Sequence, residues 1–278
     1  MDKLIINAAI TGIVPNKSDN PHLPVTVDEI VKDAVSCRNA GASIMHIHAR
    51  TPSGKPAYSK KIYREIFIRI REECPGLLLC GSTSGRVYNE FDKRSAVLEP
   101  SKGCRPDFGS LTIGSMNFPN EASVNTPHMI RSLAEAMNAR GIVPEWELFD
   151  YGMIDYVHYL VKKGVLKRPY YANIILGSLG TADATPRNLA SMVAALPDGT
   201  VWSAAGIGRY QFFINSLAVV MGGHVRVGLE DSLYYDEHKK ELATNPGLID
   251  RVVGLARAAG RDVASPREAA EIIGITKN

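Results

Sequence analysis

Two histidines one residue apart close an apolar run, Ile44-Met45-His46-Ile47-His48-Ala49-Arg50. Side chains alternate faces along a strand, so His46 and His48 point the same way and can share one metal ion. A second polar strand end lies far along the chain, His224-Val225-Arg226-Val227-Gly228-Leu229-Glu230-Asp231. Imidazole and carboxylate suit Zn2+, and a catalytic zinc site keeps three protein ligands and an open position. His46, His48 and Glu230 supply that count if the two strand ends meet. Alone, an H-x-H pair is a weak signal and more often marks two solvated or core-satisfied histidines; its place on a barrel strand, with the Glu230-Asp231 pair ending strand eight, is what favours a metal. Ligating histidines usually donate their second ring nitrogen to a neighbouring acceptor, and Asn7 is a candidate partner. Arg226 and Glu230 are four residues apart and share a strand face. A buried arginine needs a carboxylate, which Glu145 or Glu147 can provide. That makes either a structural ion pair or an arginine positioning a catalytic carboxylate, with Asp231 as that carboxylate.

The elements that must bring these residues together alternate along the whole chain. Strand-like runs cover residues 4–10, 43–49, 77–82, 108–113, 143–149, 172–176, 201–205 and 224–229. Amphipathic segments cover 27–40, 59–73, 88–98, 126–140, 154–163, 186–196, 208–221 and 246–259. The first carries Val27, Ile30, Val31, Ala34 and Val35 at helical spacing, with Thr26 placed to cap it. Eight strands alternating with eight helices predict an α/β fold of the (β/α)8 TIM-barrel type, one domain over residues 1–278. A doubly wound open sheet is the alternative, but no G-x-G-x-x-G follows the first strand. In a closed barrel the eighth strand pairs with the first and the second lies on its other side, so their ends approach at the mouth. Barrel active sites sit at the C-terminal ends of strands. Polar residues gather there: His46, His48, Ser82-Thr83-Ser84, Ser110, Thr112, Glu145, Glu147, Arg226, Glu230 and Asp231.

Composition narrows the partners. The 278 residues are 45% apolar and 22% charged, enough for a sizeable core. A net charge of +3, with both signs interspersed, gives no footprint for nucleic acid. Cys37, Cys74, Cys80 and Cys104 include no C-x-x-C pair and read as reduced thiols. No apolar stretch approaches the ~20 residues of a membrane span. The expectation is a cytoplasmic protein without leader or anchor.

The strings TGIVPNKSDNPHLPVT, IMHIHAR, GSMNF, PEWELFD, GGHVRVGLEDSLYY, AAGIGRYQ, TNPGLIDRV and GRDVASPREAAEIIGI resemble the β-keto acid cleavage enzymes over essentially the whole chain. The resemblance implies a zinc-dependent (β/α)8 barrel that assembles as a homotetramer. It implies a reaction of a β-keto acid with acetyl-CoA, giving acetoacetate and the CoA ester of the remaining fragment. Carried over by motif, His46, His48 and Glu230 match the zinc ligands and Asp231 the general base, with Arg226 beside it. Ser82 matches a substrate-contacting residue at the end of strand three. In the lysine-fermenting member, a glutamate in the loop after strand one recognises the substrate's ammonium group. Val14 holds that place here, which implies a tail that is not cationic, since a cation facing valine would be desolvated without a partner. The family's aspartate after the Ala-Arg pair is Thr51 here.

The expected site therefore has Val14, Thr112 and Glu145 toward the substrate, and Asp231 removing the acidic proton between two carbonyls; Ser82 and Thr112 read either as hydrogen-bond donors to developing oxyanions or as strand-end hydroxyls with backbone partners. For the phosphates of acetyl-CoA the candidate is the Gly206-Ile207-Gly208-Arg209 turn, with Gly208 and Arg209 at a helix start; the same residues also read as a tight packing turn. Three alternatives compete. An amidohydrolase would place further histidines on strands five and six, which read VPEWELFD and YYANIILG. A metal-dependent aldolase or lyase would cut the same bond without CoA and release a free acid. A non-catalytic metal-binding barrel would hold zinc without turnover.

Overall fold

The computed structural model describes residues 2–101, 103–118 and 121–275, so the ends of the expected 1–278 span, residues 1 and 276–278, lie outside the described residues. Eight parallel strands close into a barrel. In chain order they are β1 (Ile6–Ala9), β2 (Ile44–Ile47), β3 (Leu78–Gly81), β4 (Phe108–Thr112), β7 (Val143–Leu148), β8 (Tyr170–Leu176), β9 (Thr200–Gly206) and β10 (His224–Val227). β1 closes the ring, pairing with β10 through Asn7 and Arg226 and with β2 through Ala9 and His46. The first and last thirds of the sequence thereby meet at one place on the rim.

The helices follow the apolar stripes. α1 (Val27–Ala40) has the expected bounds, and Thr26 and Glu29 form a reciprocal capping box at its start. α2 (Lys60–Glu73) is capped by Ser59, α4 (Pro127–Asn138) by Thr126, α5 (Tyr151–Lys162) by Asp150 and α6 (Pro186–Ala195) by Thr185. α7 (Gln211–Val220) follows a short 3-10 turn over Gly208–Tyr210, and α8 (Asn245–Ala258) is capped by Thr244. The helix expected over 88–98 is only α3 (Phe91–Ser95) running into a 3-10 turn at Ala96–Leu98. Buried Arg94, tied to Thr83 O, Asn89 and Asn125, fixes this irregular segment more firmly than helical periodicity does.

Two elements stand outside the eightfold expectation. A short antiparallel hairpin, β5 (Met116–Asn117) with β6 (Ala122–Ser123), rises from the mouth after β4. A last helix, α9 (Pro266–Ile273), plugs the N-terminal end of the barrel. Its Ala269, Ala270 and Ile273 pack beneath the interior layer of Ile5, Ile44, Leu78, Phe108 and Tyr171. This apolar floor leaves the polar strand positions to the opposite end, where the chemistry sits.

Candidate metal centre and active site

β2 delivers His46 and His48 to the mouth on the same face, His46 fully buried and His48 nearly so. Strand β10 ends at Val227, earlier than expected, and Gly228 turns the chain inward. A Cβ on Gly228 would lie 2.1 Å from the Ala9 carbonyl, so only glycine lets the backbone pass so close. The turn is held by Glu230 N–H to Ala9 O at 3.1 Å, Asp231 N–H to Gly228 O at 3.2 Å and the Gln211 side-chain amide to Gly228 O at 2.9 Å. Glu230 thus reaches His48, with Nε2 to Oε1 at 3.2 Å, and lies 3.9 Å from His46 Nε2.

One donor atom from each of His46, His48 and Glu230 falls within 4.8 Å of the others. His46 Nε2 and Glu230 Oε2 are buried without any hydrogen-bond partner. Buried polar atoms are rarely left so, and two unsatisfied donor atoms facing one point fit a divalent cation. A second cluster, His46, Cys80 and Glu145, has the same compactness. It fits a cation less well: His46 Nδ1 is already bonded to Glu145 Oε1 at 2.8 Å, and burial holds the Cys80 thiol protonated. His48 is driven by burial toward its neutral, ligating form. Glu230 resists burial through His48, Arg226 and His46 and stays ionised. For His46, burial favours the neutral ring but Glu230 and Glu145 outweigh it and favour the imidazolium. A cation taking Nε2 would displace that proton.

Glu145 does not line the cavity, where a substrate contact belongs. It is fully buried below His46, and its other oxygen accepts from Asn7 Nδ2 at 2.7 Å. Asn7, expected beside a histidine, is therefore one step further back, orienting the carboxylate that orients His46.

Arg226 is enclosed by three carboxylates. It donates to Asp231 through Nε at 3.0 Å and Nη2 at 3.1 Å, to Glu230 at 2.8 Å and to Glu147 at 3.1 Å. Burial works against its charge, yet these carboxylates raise its pKa well above normal. Asp231, with a side chain 3% exposed, moves the other way: burial raises its pKa despite Arg226. An ionised carboxylate in that environment is a stronger base than one in water.

The cavity above these groups has a volume of about 340 Å3. His48, Ser82, Thr112, Glu147, Arg226, Glu230 and Asp231 form its polar side. Ile13, Val14, Phe118, Phe149, Ile175 and Leu179 are among its apolar walls. Val14, 54% exposed, stands at the edge on a loop that Arg50 fixes through two hydrogen bonds to Gly12 O. Ser82 accepts from Ser84 N–H at 3.2 Å. Thr112 gives its hydroxyl hydrogen to Glu147 at 2.6 Å, so it is not a donor for an oxyanion as expected. Gly208 spends its amide on Asp231 O at 2.7 Å, which removes that amide from anion binding. Arg209 is exposed, donates to Tyr210 OH and borders a second cavity of about 310 Å3. That space shares Val14, Pro15, Ile207, Glu230 and Asp231 with the first. No motif or period marks Arg86, Phe118 and Glu121, which also line the main cavity from loops and the hairpin.

Known proteins resemble the chain in the same terms. The profile of a family described as beta-keto acid cleavage enzyme matches residues 3–275. A 3-keto-5-aminohexanoate cleavage enzyme of Fusobacterium nucleatum is 42% identical, with 100% of each chain covered. A 3-oxoadipate:acetyl-CoA acetyltransferase of Cupriavidus necator is 34% identical, covering 98% of this chain and 94% of that one. Among solved structures, ObcA in ternary complex with a C4-CoA adduct and oxalate superposes with a TM-score of 0.83. It covers 92% of this chain and 68% of that one, at 18% identity, a likeness of fold.

Proposed function

Because the chain belongs to the β-keto acid cleavage enzyme family, we propose that it joins a β-keto acid to acetyl-CoA and releases acetoacetate and a new acyl-CoA. Acetyl-CoA is the partner named for the relatives from Cupriavidus necator and, at 31% identity, Rhizobium meliloti. The observation that carries the reading is the convergence of His46, His48 and Glu230 beside a base, Asp231, at one cavity. Zinc is the cation we assign, because two imidazoles and a carboxylate with an open position are a donor set of catalytic zinc sites. Bound there, it would supply Lewis acidity toward the keto and carboxylate oxygens.

The residues of the chain do the rest. Asp231, aligned by both nitrogens of Arg226, takes the proton from the carbon between the two carbonyls. That carbon forms a bond to the acetyl carbonyl, and the CoA thiolate leaves. The thiolate then adds to the other keto carbon, the carbon–carbon bond breaks, and Asp231 returns its proton to acetoacetate. Ser82 Oγ offers a hydrogen toward the oxygen that gains charge. Glu147 keeps Arg226 in place from the far side. Val14 and the apolar walls suit a tail that is not cationic, unlike the aminated acid named for the Fusobacterium nucleatum relative. The phosphates of CoA fit the second cavity beside Arg209, outside the barrel mouth. We further assign one domain over residues 1–278, a homotetramer and a cytoplasmic location. Among the described residues no helix is long and apolar enough to cross a membrane.

The test is a zinc-loaded assay with acetyl-CoA labelled at its carbonyl carbon and a panel of β-keto acids, followed by mass spectrometry. Label at the keto carbon of acetoacetate, with the acid's own acyl group on CoA, is expected. A free acid in place of the CoA ester would identify a lyase, and zinc binding without turnover a non-catalytic barrel.

A further inference from the structure

Two guanidinium groups line the main cavity, and their surroundings are opposite. Arg226 is saturated by three carboxylates. Arg86, on the loop after β3, makes no hydrogen bond from its guanidinium to any described residue, and its Nε is buried without a partner. Its side chain is only 18% exposed. The nearest carboxylate, Glu121, is 3.8 Å away and 47% exposed, so water screens that pair. The guanidinium carbon sits 3.5 Å over the Phe118 ring, which engages the flat face of the group and leaves its edge of N–H donors unused. Packing against the hairpin explains the stacking. It does not explain a largely desolvated cation whose donors are unpaired, an arrangement proteins otherwise avoid.

We propose that Arg86 is a specificity-determining residue that binds a carboxylate at the far end of the keto acid's tail. The substrate class is then a straight-chain β-keto dicarboxylate. One end lies at His48, Glu230 and Asp231, the spacer runs along Val14, Met116 and Phe118, and the terminal carboxylate pairs with Arg86. A planar fork matches a carboxylate with two parallel hydrogen bonds, which an ammonium cannot do. This inference rests on the proposed reaction, because only a β-keto acid held at the metal centre gives the tail its direction.

The test compares a 3-oxo dicarboxylic acid with a 3-oxo monocarboxylic acid of matched length ending in methyl, in wild type and in R86Q and R86K. The dicarboxylate-to-monocarboxylate ratio of kcat/KM should exceed tenfold in wild type and fall about tenfold or more in R86Q, by a rise in KM. R86K should recover part of it, and the KM for acetyl-CoA should move less than about twofold. A wild type that prefers the methyl tail overturns the proposal, as does R86Q acting on both acids alike. A change confined to the acetyl-CoA KM would assign Arg86 to the nucleotide and overturn it too. Calorimetry of zinc-loaded protein with glutarate and with butanoate separates the two levels of inference. Glutarate binding that depends on Arg86 with no acetyl-CoA turnover of any β-keto acid would leave Arg86 an anion site and refute the reaction. Turnover with no Arg86-dependent glutarate preference would do the reverse.

Discussion

Replacing Glu145 by glutamine separates the orientation of His46 from the metal ligands themselves. Glu145 is fully buried, accepting from His46 Nδ1 at 2.8 Å on one oxygen and from Asn7 Nδ2 at 2.7 Å on the other. Burial alone would raise its pKa, but His46, Arg226 and Asn7 outweigh it, so the group is an anion. Glutamine has one acceptor where two are needed. If its oxygen faces His46, its amino group meets the amino group of Asn7; if reversed, it meets the ring N–H. Facing His46, the amide leaves Asn7 Nδ2 only its 3.3 Å bond to Tyr171 OH; reversed, it leaves the buried ring N–H without an acceptor, at about 1–3 kcal/mol of stability. The lost charge also makes His46 a weaker ligand, and partners of this kind are worth ~10–100-fold in metal affinity. That corresponds to ~1.4–2.8 kcal/mol at the metal. A competition titration of zinc against a chromophoric chelator measures it, with circular dichroism to check the fold. A Glu145→Gln protein that is folded and binds zinc within twofold of wild type would refute the reasoning.

Asp231→Asn should retain zinc by elemental analysis while kcat/KM falls ~10²–10⁴-fold, the usual worth of a positioned base; full activity would exclude Asp231 as the base. Val14→Glu should shift relative kcat/KM toward keto acids with an amino-bearing tail, and an unchanged substrate profile would refute the pocket assignment. Half-buried Asp33, whose carboxylate accepts from Asn245 Nδ2 at 2.7 Å, has its pKa pushed up to about 6 chiefly by burial. A carboxyl raised in this way favours the folded state fully below its unfolded pKa, near 3.8, and loses that contribution as pH rises through about 6. Asp33→Asn should therefore be more stable than wild type at pH 7 by about 2 kcal/mol after solvent screening. The difference should vanish below about pH 4 in denaturant titrations; a constant offset would mean Asp33 is not the titrating group.

The barrel is legible because short runs rich in Ile, Leu and Val alternate with amphipathic segments along the whole chain, and α1 carries an apolar stripe at helical spacing through Ile30, Val31, Ala34 and Cys37. The convergence of His46, His48 and Glu230 followed from pairing the first strand with its two neighbours, as β1 does. Depth was not legible. Glu145 and Glu147 face the same way two residues apart, yet one orients His46 below the cavity and the other faces the cavity beside Arg226. Alternation gives the face of a strand and not the layer, so the sequence alone points Glu145 toward the substrate. Two-residue strands such as β5 and β6 show no period, and the hairpin was invisible for that reason. Helix α9 did carry a signal: Ser265 and Glu268 form a capping box around Pro266, ahead of Ala269, Ala270 and Ile273. Arg86 lies on an irregular loop whose course depends on Arg94 and Phe118, contacts that no local pattern encodes.

The central claim is that two imidazoles at the C-terminal end of β2 and one carboxylate of the turn after β10 grip a single ion. Crystals grown with zinc, with diffraction measured on both sides of its absorption edge, test it most directly. One anomalous peak is expected between His46 Nε2, His48 Nε2 and the Glu230 carboxylate, at about 2.0–2.2 Å from each. A peak at Cys80 instead, or none at any of these residues after zinc loading, would contradict the claim.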